Sequence, residues 1–251
     1  MKKLFVFAVL TTVLSFLPQD AWAKRWGKCP VSVRELVDRS DRLTRGDSSV
    51  GVMSMKVYKR GTVSIQMEVW SKGRDKFLAR VRRPSRLRGT ATLKSGDNLW
   101  NFLPRADRVV RLGTSMMGDS WMGSHFTNDD LVKETDVRKH YTCTSHKREG
   151  DYMLVEAAPR PDAPVVWGKV VFKIRVSDAM PIETKYYNER GKLDRTLSFH
   201  DVREMGGRKI PTRMVMQPAA RPSERTVVTY NKIRFNVKIP DRIFTLQGLQ
   251  R

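Results

Sequence analysis

One serine stands in a context that suggests nucleophilic chemistry. Ser120 follows Gly118 and Asp119 in a Gly-Asp-Ser block, the context of the nucleophile in GDS-type hydrolases. Such a serine needs a general base within hydrogen-bonding reach, and the Asp-x-x-His spacing found in those enzymes is absent from the chain. Residues 113–118 are also one residue too long for a nucleophile elbow. A hydrolase using Ser120 is therefore the last of three functional hypotheses, and the sequence predicts that the protein is not an enzyme.

Histidine and cysteine spacing indicates no metal site. The four histidines form neither HExxH nor another ligand pattern, and the two cysteines are far from any CxxC spacing. No glycine-rich phosphate loop occurs either. The sequence therefore predicts neither a metal nor a cofactor. The histidines considered are His125, His140, His146 and His200.

The loop at 113–126 is richer in large apolar residues than a solvated loop requires. Four of them stand among three glycines, so adaptable side chains lie on a backbone that bends easily. Two interpretations are open: the side chains fill the core, or they form a mobile apolar cover that contacts a lipid or a partner. The residues concerned are Met116, Met117, Trp121 and Met122, with Gly113, Gly118 and Gly123 between them.

Local signals predict a helix at 127–134, directly after this loop. Thr127 is a favourable N-cap, and Asp129 and Asp130 place negative charge in the first turn. Phe126 can pack against Leu131 as a hydrophobic staple. The helix would give the apolar loop a fixed end.

β-Strand patterns dominate the rest of the chain. Segment 62–70 alternates apolar and polar residues, as expected of a strand with one buried face. Segment 50–59 is also β-prone, but its apolar phase slips between Val52 and Met53, which indicates a bulge. Near the N-terminus, Ser32 and Glu35 predict a capping box for a short amphipathic helix. The remaining strand candidates are 76–82, 90–94, 99–103, 108–112, 139–147, 152–157, 169–176, 182–187, 192–202, 209–216 and 225–234.

About ten strands at regular spacing with two short helices predict a mainly β fold, either a barrel or a sandwich. No repeat, linker or low-complexity tract divides the chain, so 24–251 is predicted to be a single domain. Residues 243–249 are expected to form a last helical turn.

The first residues are typical of an export signal. Lys2 and Lys3 precede an apolar run at 4–17, and Ala21-Trp22-Ala23 has the small-x-small pattern of a cleavage site. We expect residues 1–23 to be removed and the mature, periplasmic chain to begin at Lys24. The formal net charge is +22, which favours anionic partners. Because an exported protein does not meet nucleic acid, the remaining anionic partners are a membrane surface with anionic lipid headgroups, lipopolysaccharide or an acidic protein face. Scattered charges also simply keep a β-protein soluble.

Cys29 and Cys143 are the two cysteines of the chain. An exported protein meets an oxidising compartment, so we predict that they pair, while their Cα separation is not accessible from sequence. Lysine at position 28 does not fit the small-residue lipobox, so lipidation of Cys29 is not expected.

Several segments resemble the outer-membrane lipoprotein-sorting proteins of the LolA-like superfamily. The resemblance implies a periplasmic, incompletely closed antiparallel β-barrel with short helices covering its mouth and an apolar cavity for acyl chains. It also implies an inner-membrane exporter, of the RND or ABC type, as a partner. The matching segments are KFLARVRRPSRLRGTATL at 76–93, NLWNFL at 98–103, RVVRL at 108–112, MGDSWMGSHFTNDDL at 117–131 and IPDRIFTLQGLQR at 239–251.

The first functional hypothesis is a periplasmic carrier that binds lipid or lipoprotein acyl chains and moves them from the inner toward the outer membrane. Each buried acyl methylene contributes about 0.8 kcal/mol, so such a carrier needs an apolar cavity. The second is a lipid- or lipoprotein-sensing regulatory protein of the same fold. The predicted lining or lid residues are Val63, Ile65, Met67, Val69, Trp100, Phe102, Met116, Met117, Trp121, Met122 and Phe126.

Overall fold

A computed structural model of the protein describes residues 29–133, 137–163 and 165–251. The predicted signal peptide, its cleavage site and Lys24 lie outside the described residues. Thirteen strands make up most of the described chain. They are β1 (Ser48–Tyr58), β2 (Thr62–Lys72), β3 (Lys76–Arg83), β4 (Ala91–Ser95), β5 (Asn98–Leu103), β6 (Arg108–Arg111), β7 (Tyr141–Glu149), β8 (Tyr152–Pro159), β9 (Lys169–Arg175), β10 (Pro181–Tyr187), β11 (Leu193–Met205), β12 (Arg208–Pro218) and β13 (Arg225–Phe235).

Four short α-helices and several 3₁₀ turns complete the described chain. The helices are α1 (Val31–Arg45), α2 (Asn128–Lys133), α3 (Val137–His140) and α4 (Leu246–Leu249). The helical turn predicted at the C-terminus is a 3₁₀ turn at Asp241–Phe244 followed by α4. The strand candidate at 139–147 begins at Tyr141, because α3 occupies the preceding residues.

All strands belong to one antiparallel sheet in the order β6-β5-β4-β3-β2-β1-β13-β12-β11-β10-β9-β8-β7. Every strand candidate of the sequence corresponds to a strand, so the number is thirteen instead of about ten. Within the described residues no bridge joins β6 to β7, and the sheet is not closed into a barrel. The mainly β, incompletely closed architecture is therefore confirmed.

One row of neighbours runs across most of the sheet and defines its inner face. Val63 on β2 lies opposite Val57, which pairs in turn with Thr226, and the row continues through β12 and β11 to Leu197. From there it continues through Thr184 on β10 and Phe172 on β9 to Val155 on β8. Apolar residues at alternate positions of distant strands therefore face the same interior.

The slip predicted between Val52 and Met53 coincides with a shift of register between β1 and β13. Val52 lies opposite Lys232 and Met53 lies opposite Tyr230, so Asn231 on β13 is the additional residue. The bulge was therefore predicted at the correct place, although the extra residue belongs to the partner strand.

Helix α1 packs on the inner face, over β9 and β12. Its buried apolar residues Val33, Leu36 and Val37 lie near helical spacing, as predicted. The predicted capping box is wrong: the N-cap is Pro30, and no side chain caps the helix. Proline lacks a side-chain acceptor but fits the extended conformation that this position requires.

A disulfide joins the start of this region to the sheet. Cys29, two residues before α1, is bonded to Cys143 on β7, with a Cα–Cα distance of 5.8 Å. This distance lies within the ordinary range for disulfides. We call strands β1 to β6 the first half of the sheet and strands β7 to β13 the second half. The bond anchors the N-terminal end of α1 beside the second half.

The C-terminal segment covers the outer face of the first half of the sheet. Ile239, Phe244 and Leu249 pack against a row of apolar residues on β3, β4 and β5. Lys76 and Lys72 hold Asp241 through hydrogen bonds of 2.8 and 3.0 Å, and these contacts lower the pKa of Asp241 to about 2. The outer face of this half is thus covered.

Candidate functional site

A cavity of about 140 Å³ lies between α1 and the second half of the sheet. Its walls are mainly apolar side chains of β7, β9, β10 and β11, and α1 contributes a mostly polar edge. A cavity of about this volume is large enough for a molecule as small as benzene. The apolar lining residues are Val37, Tyr141, Val170, Phe172, Ile174, Pro181, Tyr186, Leu197 and Phe199.

The polar edge of the cavity holds α1 to the first half of the sheet by charge. Arg74, in the turn between β2 and β3, contacts Asp41 at 2.8 Å and Asp38 at 3.6 Å. Asp41 also pairs with Arg45 at 2.9 Å within the helix. The helix ends at Gly46, whose φ of +68° is readily adopted by glycine. Helix α1 is therefore a cover held covalently at its start and electrostatically near its end.

The loop at 113–126 fills the other half of the inner face. Trp121 is 3 % exposed and packs among residues of β1, β2 and β3. Its Nε1–H donates to Oγ1 of Thr92 at 3.1 Å. The side-chain amide of Asn128 donates to the carbonyl of Met116 at 2.9 Å, which fixes the loop to the start of α2. The main apolar side chains of the loop at 113–126 therefore contribute to the core.

Most predicted lining residues occupy this filled half. One core cluster contains Ile65, Met67, Val69 and Trp121, with Val63, Met122 and Phe126 packed against it. Met117 is buried in an adjoining cluster, and Met116 is 37 % exposed. None of the eleven predicted residues lines the cavity beneath α1. The prediction of an apolar interior identified the packed half of the sheet, and the cavity beneath α1 lies in the other half. Met117 also lines a separate pocket of about 780 Å³ bordered by β5, β6 and α3.

Trp100 and Phe102, the other two predicted lining residues, lie on the outer face of the sheet. Trp100 pairs with Leu93 and Phe102 with Ala91 in a row that faces the C-terminal segment. Their neighbour Leu99 faces inward. The prediction that Trp100 and Phe102 line the cavity is therefore corrected. Because β5 is apolar on both faces, alternation alone does not identify which face is the inner one.

A buried ion pair beside the cavity was missed by the sequence analysis. Arg195 on β11 pairs with Asp130 on α2, and both side chains are 3 % exposed. The guanidinium lies 4.2 Å from the ring centre of Trp167 and 4.7 Å from that of Tyr186, and Nη1 donates to the carbonyl of His125 at 2.8 Å. The sequence signal that could have identified Arg195 is its alternation with Leu197 and Phe199, which places the arginine on the inner face.

Two reciprocal hydrogen bonds confirm the predicted N-cap of α2. The backbone N–H of Asp130 donates to Oγ1 of Thr127 at 3.3 Å, and the N–H of Thr127 donates to Oδ2 of Asp130 at 2.6 Å. Phe126 and Leu131, the predicted staple, both pack against the first core cluster. Asp130 therefore caps the helix and binds Arg195 simultaneously.

His125 joins the loop to β13. Its Nδ1 lies 2.8 Å from Oγ1 of Thr226, and its Nε2 lies 3.1 Å from Oε2 of Glu224. The Thr226 hydroxyl also accepts the backbone N–H of His125 at 3.0 Å, which suits a neutral ring with its proton on Nε2. Burial lowers the pKa of His125, and the hydrogen bond to Glu224 opposes this effect. The ring is therefore a structural link that favours the neutral form.

Ser120 is exposed and forms an isolated β-bridge with Thr127. Its hydroxyl makes no hydrogen bond to a histidine or carboxylate among the described residues, and the partners of His125 are Thr226 and Glu224. The geometry gives Ser120 no general base, so the hydrolase hypothesis has no support from this site. The absence of enzymatic activity stays a prediction.

The described residues contain neither a metal-binding cluster nor a helix able to span a membrane. No group of three or more histidine, cysteine, aspartate or glutamate side chains there is arranged to hold a metal ion. Within the same residues, none of the helices combines the length and apolar character needed to span a bilayer.

Solved structures with the same architecture define the class of fold. A DUF1329 family protein from Desulfovibrio piger matches with a TM-score of 0.76 and 22 % identity, over 86 % of this chain and 97 % of its own. A LolA superfamily protein from Nitrosomonas europaea gives 0.72 and 21 %, over 87 % and 100 %. A domain described as an outer membrane lipoprotein-sorting protein, from Vibrio parahaemolyticus, gives 0.75 and 22 %, over 88 % and 97 %. The chain has a LolA-like fold, as its sequence resemblance implied.

A family model described only as an uncharacterized protein matches residues 73–251, and the chain belongs to that family. No curated protein shows significant similarity to the chain.

Proposed function

We propose that the protein is a periplasmic carrier that binds acyl chains of a lipid or lipoprotein between α1 and strands β9–β11 and moves them toward the outer membrane. The observation that supports this most is the apolar cavity beneath a tethered amphipathic helix. The LolA-like fold also supports this proposal, because a solved structure with this fold is described as a lipoprotein-sorting protein. The exporter from which the cargo comes, of RND or ABC type, is part of the same proposal.

The volume of the cavity limits the length of acyl chain that it can hold. Pockets for drug-sized ligands usually measure about 300–1,000 Å³, whereas this cavity measures about 140 Å³. It therefore holds a few methylene groups and not a complete acyl chain. Uptake of a chain requires α1 to move away from the sheet, with the disulfide at Cys29 and the glycine at position 46 as the ends of the moving segment.

A cavity-filling substitution tests the location of the site. Val170 lines the cavity, and its neighbour Val171 lies on the opposite face of β9. Val170→Phe should weaken binding of a fluorescent acyl probe by at least about tenfold, because excluding two methylene groups forfeits about 0.8 kcal/mol each. Val171→Phe is the matched control and should bind the probe like the parent protein.

Mass spectrometry of organic extracts from the purified protein would identify the cargo. A diacyl lipid or an acylated peptide in the extract of the parent protein, reduced in Val170→Phe, is the expected result. Unchanged probe affinity in folded Val170→Phe would disprove the proposed site. A lipid that is converted to products during incubation would favour an enzyme instead.

A further inference from the structure

Six arginines gather at one end of the first half of the sheet, and we name them the arginine cluster. They lie in or beside two turns, one between β3 and β4 and the other between β5 and β6. All six side chains are exposed. The cluster consists of Arg82, Arg83, Arg86, Arg88, Arg105 and Arg108.

The two turns are direct neighbours in the structure. Ala91, which follows the first turn, pairs with Phe102, which precedes the second. A Cβ placed on Gly89 would lie 3.4 Å from Cγ of Pro104, so the turns are in close contact. Backbone bonds from Gly89 N to the Val81 carbonyl, 3.0 Å, and from Leu87 N to the Pro84 carbonyl, 3.0 Å, order the first turn. The arginines therefore form one surface.

Carboxylates neutralise little of this charge. Asp107 is the acidic residue within the two turns, and Glu68 pairs with Arg82. Among the described residues no carboxylate forms an ion pair with Arg83, Arg86 or Arg105. Several turns at the opposite end of the sheet contain an aspartate, unlike the turn between β3 and β4. These aspartates are Asp47, Asp75, Asp97, Asp151 and Asp178.

Apolar groups accompany the arginines. Leu103, at the end of β5, is 43 % exposed beside Arg105. Leu87, inside the first turn, packs against the core cluster that contains Trp121. The arginine cluster thus lies next to the loop at 113–126 and combines guanidinium groups with an exposed leucine.

We propose that the arginine cluster docks the protein on a membrane surface rich in anionic phospholipids. Guanidinium groups bind phosphate oxygens with two parallel hydrogen bonds. Six of them spread over two exposed turns match a plane of headgroups better than one enclosed phosphate, which requires converging donors. The inference goes beyond the proposed carrier function, because it concerns headgroups and not acyl chains.

Vesicle sedimentation tests the docking surface. The parent protein should sediment with vesicles of phosphatidylcholine and phosphatidylglycerol, weakly with phosphatidylcholine alone, and less at high salt. The triple variant Arg83→Gln, Arg86→Gln, Arg105→Gln should lose about 100-fold in partition coefficient at low salt, since each basic residue contributes about fivefold. Its melting temperature should equal that of the parent.

A matched control removes the same charge elsewhere. Arg203, Lys232 and Arg234 are exposed at the other end of the sheet. Their replacement by glutamine should change vesicle binding by less than about fivefold, because they lie outside the docking surface. Equal losses in both triple variants would show a response to net charge alone and would overturn the proposal.

Two further results separate this inference from the carrier function. Soluble glycerol phosphate at millimolar concentration should not displace the protein from vesicles, and displacement would indicate a single phosphate site instead. Failure of the parent protein to bind anionic vesicles would refute the docking surface. The acyl-probe titration would be unaffected by that failure, since the probe measures the cavity.

Discussion

Arg195 is a fully enclosed charge whose partners come from three other parts of the chain. It contacts Asp130, the His125 carbonyl and the rings of Trp167 and Tyr186. A buried cation is tolerated only when its hydrogen bonds and its charge are matched. The residue therefore fixes α2 and the preceding loop to the second half of the sheet, beside the cavity.

Removing this cation should destabilise the protein strongly. Arg195→Ala leaves the Asp130 carboxylate buried without its main partner, and we expect a loss of about 3–5 kcal/mol in the free energy of unfolding, measured by denaturant titration. The double variant Arg195→Met, Asp130→Asn should recover part of that loss, because neither buried charge remains. A loss below about 0.5 kcal/mol in Arg195→Ala would contradict the role assigned to the pair.

Trp121 distinguishes a packed loop from a mobile cover. Because it is buried among residues of β1–β3 and hydrogen-bonded to Thr92, Trp121→Ala should cost about 3–5 kcal/mol in unfolding free energy. Probe affinity of the folded fraction should not change. Met116→Ala, at the exposed position of the same loop, serves as the control and should stay within about 0.5 kcal/mol. Weaker probe binding by a stable Trp121→Ala protein would restore the interpretation as a cover.

His125 should make stability depend on pH. Its pKa is lower in the folded protein than in the unfolded chain because of burial, so the unfolded chain binds the proton more readily. The contribution of His125 to stability is fully present above the pKa of the unfolded chain, near 6.5. It is lost as the pH falls below that value toward the lower pKa of the folded protein. Unfolding titrations at pH 7.5 and 5.5 should show this decrease, and His125→Gln should reduce it. An identical pH dependence in that variant would assign the effect to other groups.

At the scale of elements, α1 is the part most suited to move. It covers the cavity with one apolar face, its start is bonded through Cys29, and its later turns are held by Arg74. Partly exposed ion pairs contribute little to stability. They are therefore suited to hold a segment that has to open when a ligand enters.

Weakening the contact between α1 and the sheet should accelerate ligand exchange. Arg74→Gln removes the ion pairs with Asp41 and Asp38, and we expect faster association and release of an acyl probe in stopped-flow fluorescence, with a stability loss below about 1 kcal/mol. Arg42→Gln is the control, because Arg42 pairs with Asp38 inside the same helix at 3.7 Å. Equal exchange rates in Arg74→Gln and the parent would argue against α1 as the gate.

At the scale of the whole molecule, the two halves of the sheet differ in how their inner faces are packed. The first half is filled by the loop at 113–126 on its inner face and covered by the C-terminal segment on its outer face. The second half retains the cavity beneath α1. Under the proposed carrier function, the packed half supports the half that contains the cavity.

Export and processing are predicted from the first 23 residues of the sequence. We predict that the protein isolated from the periplasm begins at Lys24, because a basic start, a short apolar run and an Ala-x-Ala end occur together. Intact-mass analysis checks this prediction, and reduction should add the mass of two hydrogens if Cys29 and Cys143 are bonded. A diacylglyceryl mass on Cys29 would show a membrane-anchored protein.

The sequence by itself determined the elements whose pattern is local. Alternation in β2 and β9, the turns between strands, the register slip at Val52 and the N-cap of α2 all depend on residues close in the chain, and each was predictable for that reason. The resemblance of the segments at 76–93 and 98–131 supplied the class of fold. One local prediction, the capping box at Ser32, was wrong because Pro30 begins the helix first.

Only the tertiary structure decided which face of β5 is the outer one, where the cavity beneath α1 lies, and which charge is buried. Trp100 packs against a segment more than 130 residues later in the chain, and Arg195 meets a partner 65 residues away. The physical reason is that burial depends on what covers a surface. A strand that is apolar on both faces, or an arginine at an inward position, has its environment set by distant segments that local periodicity does not describe.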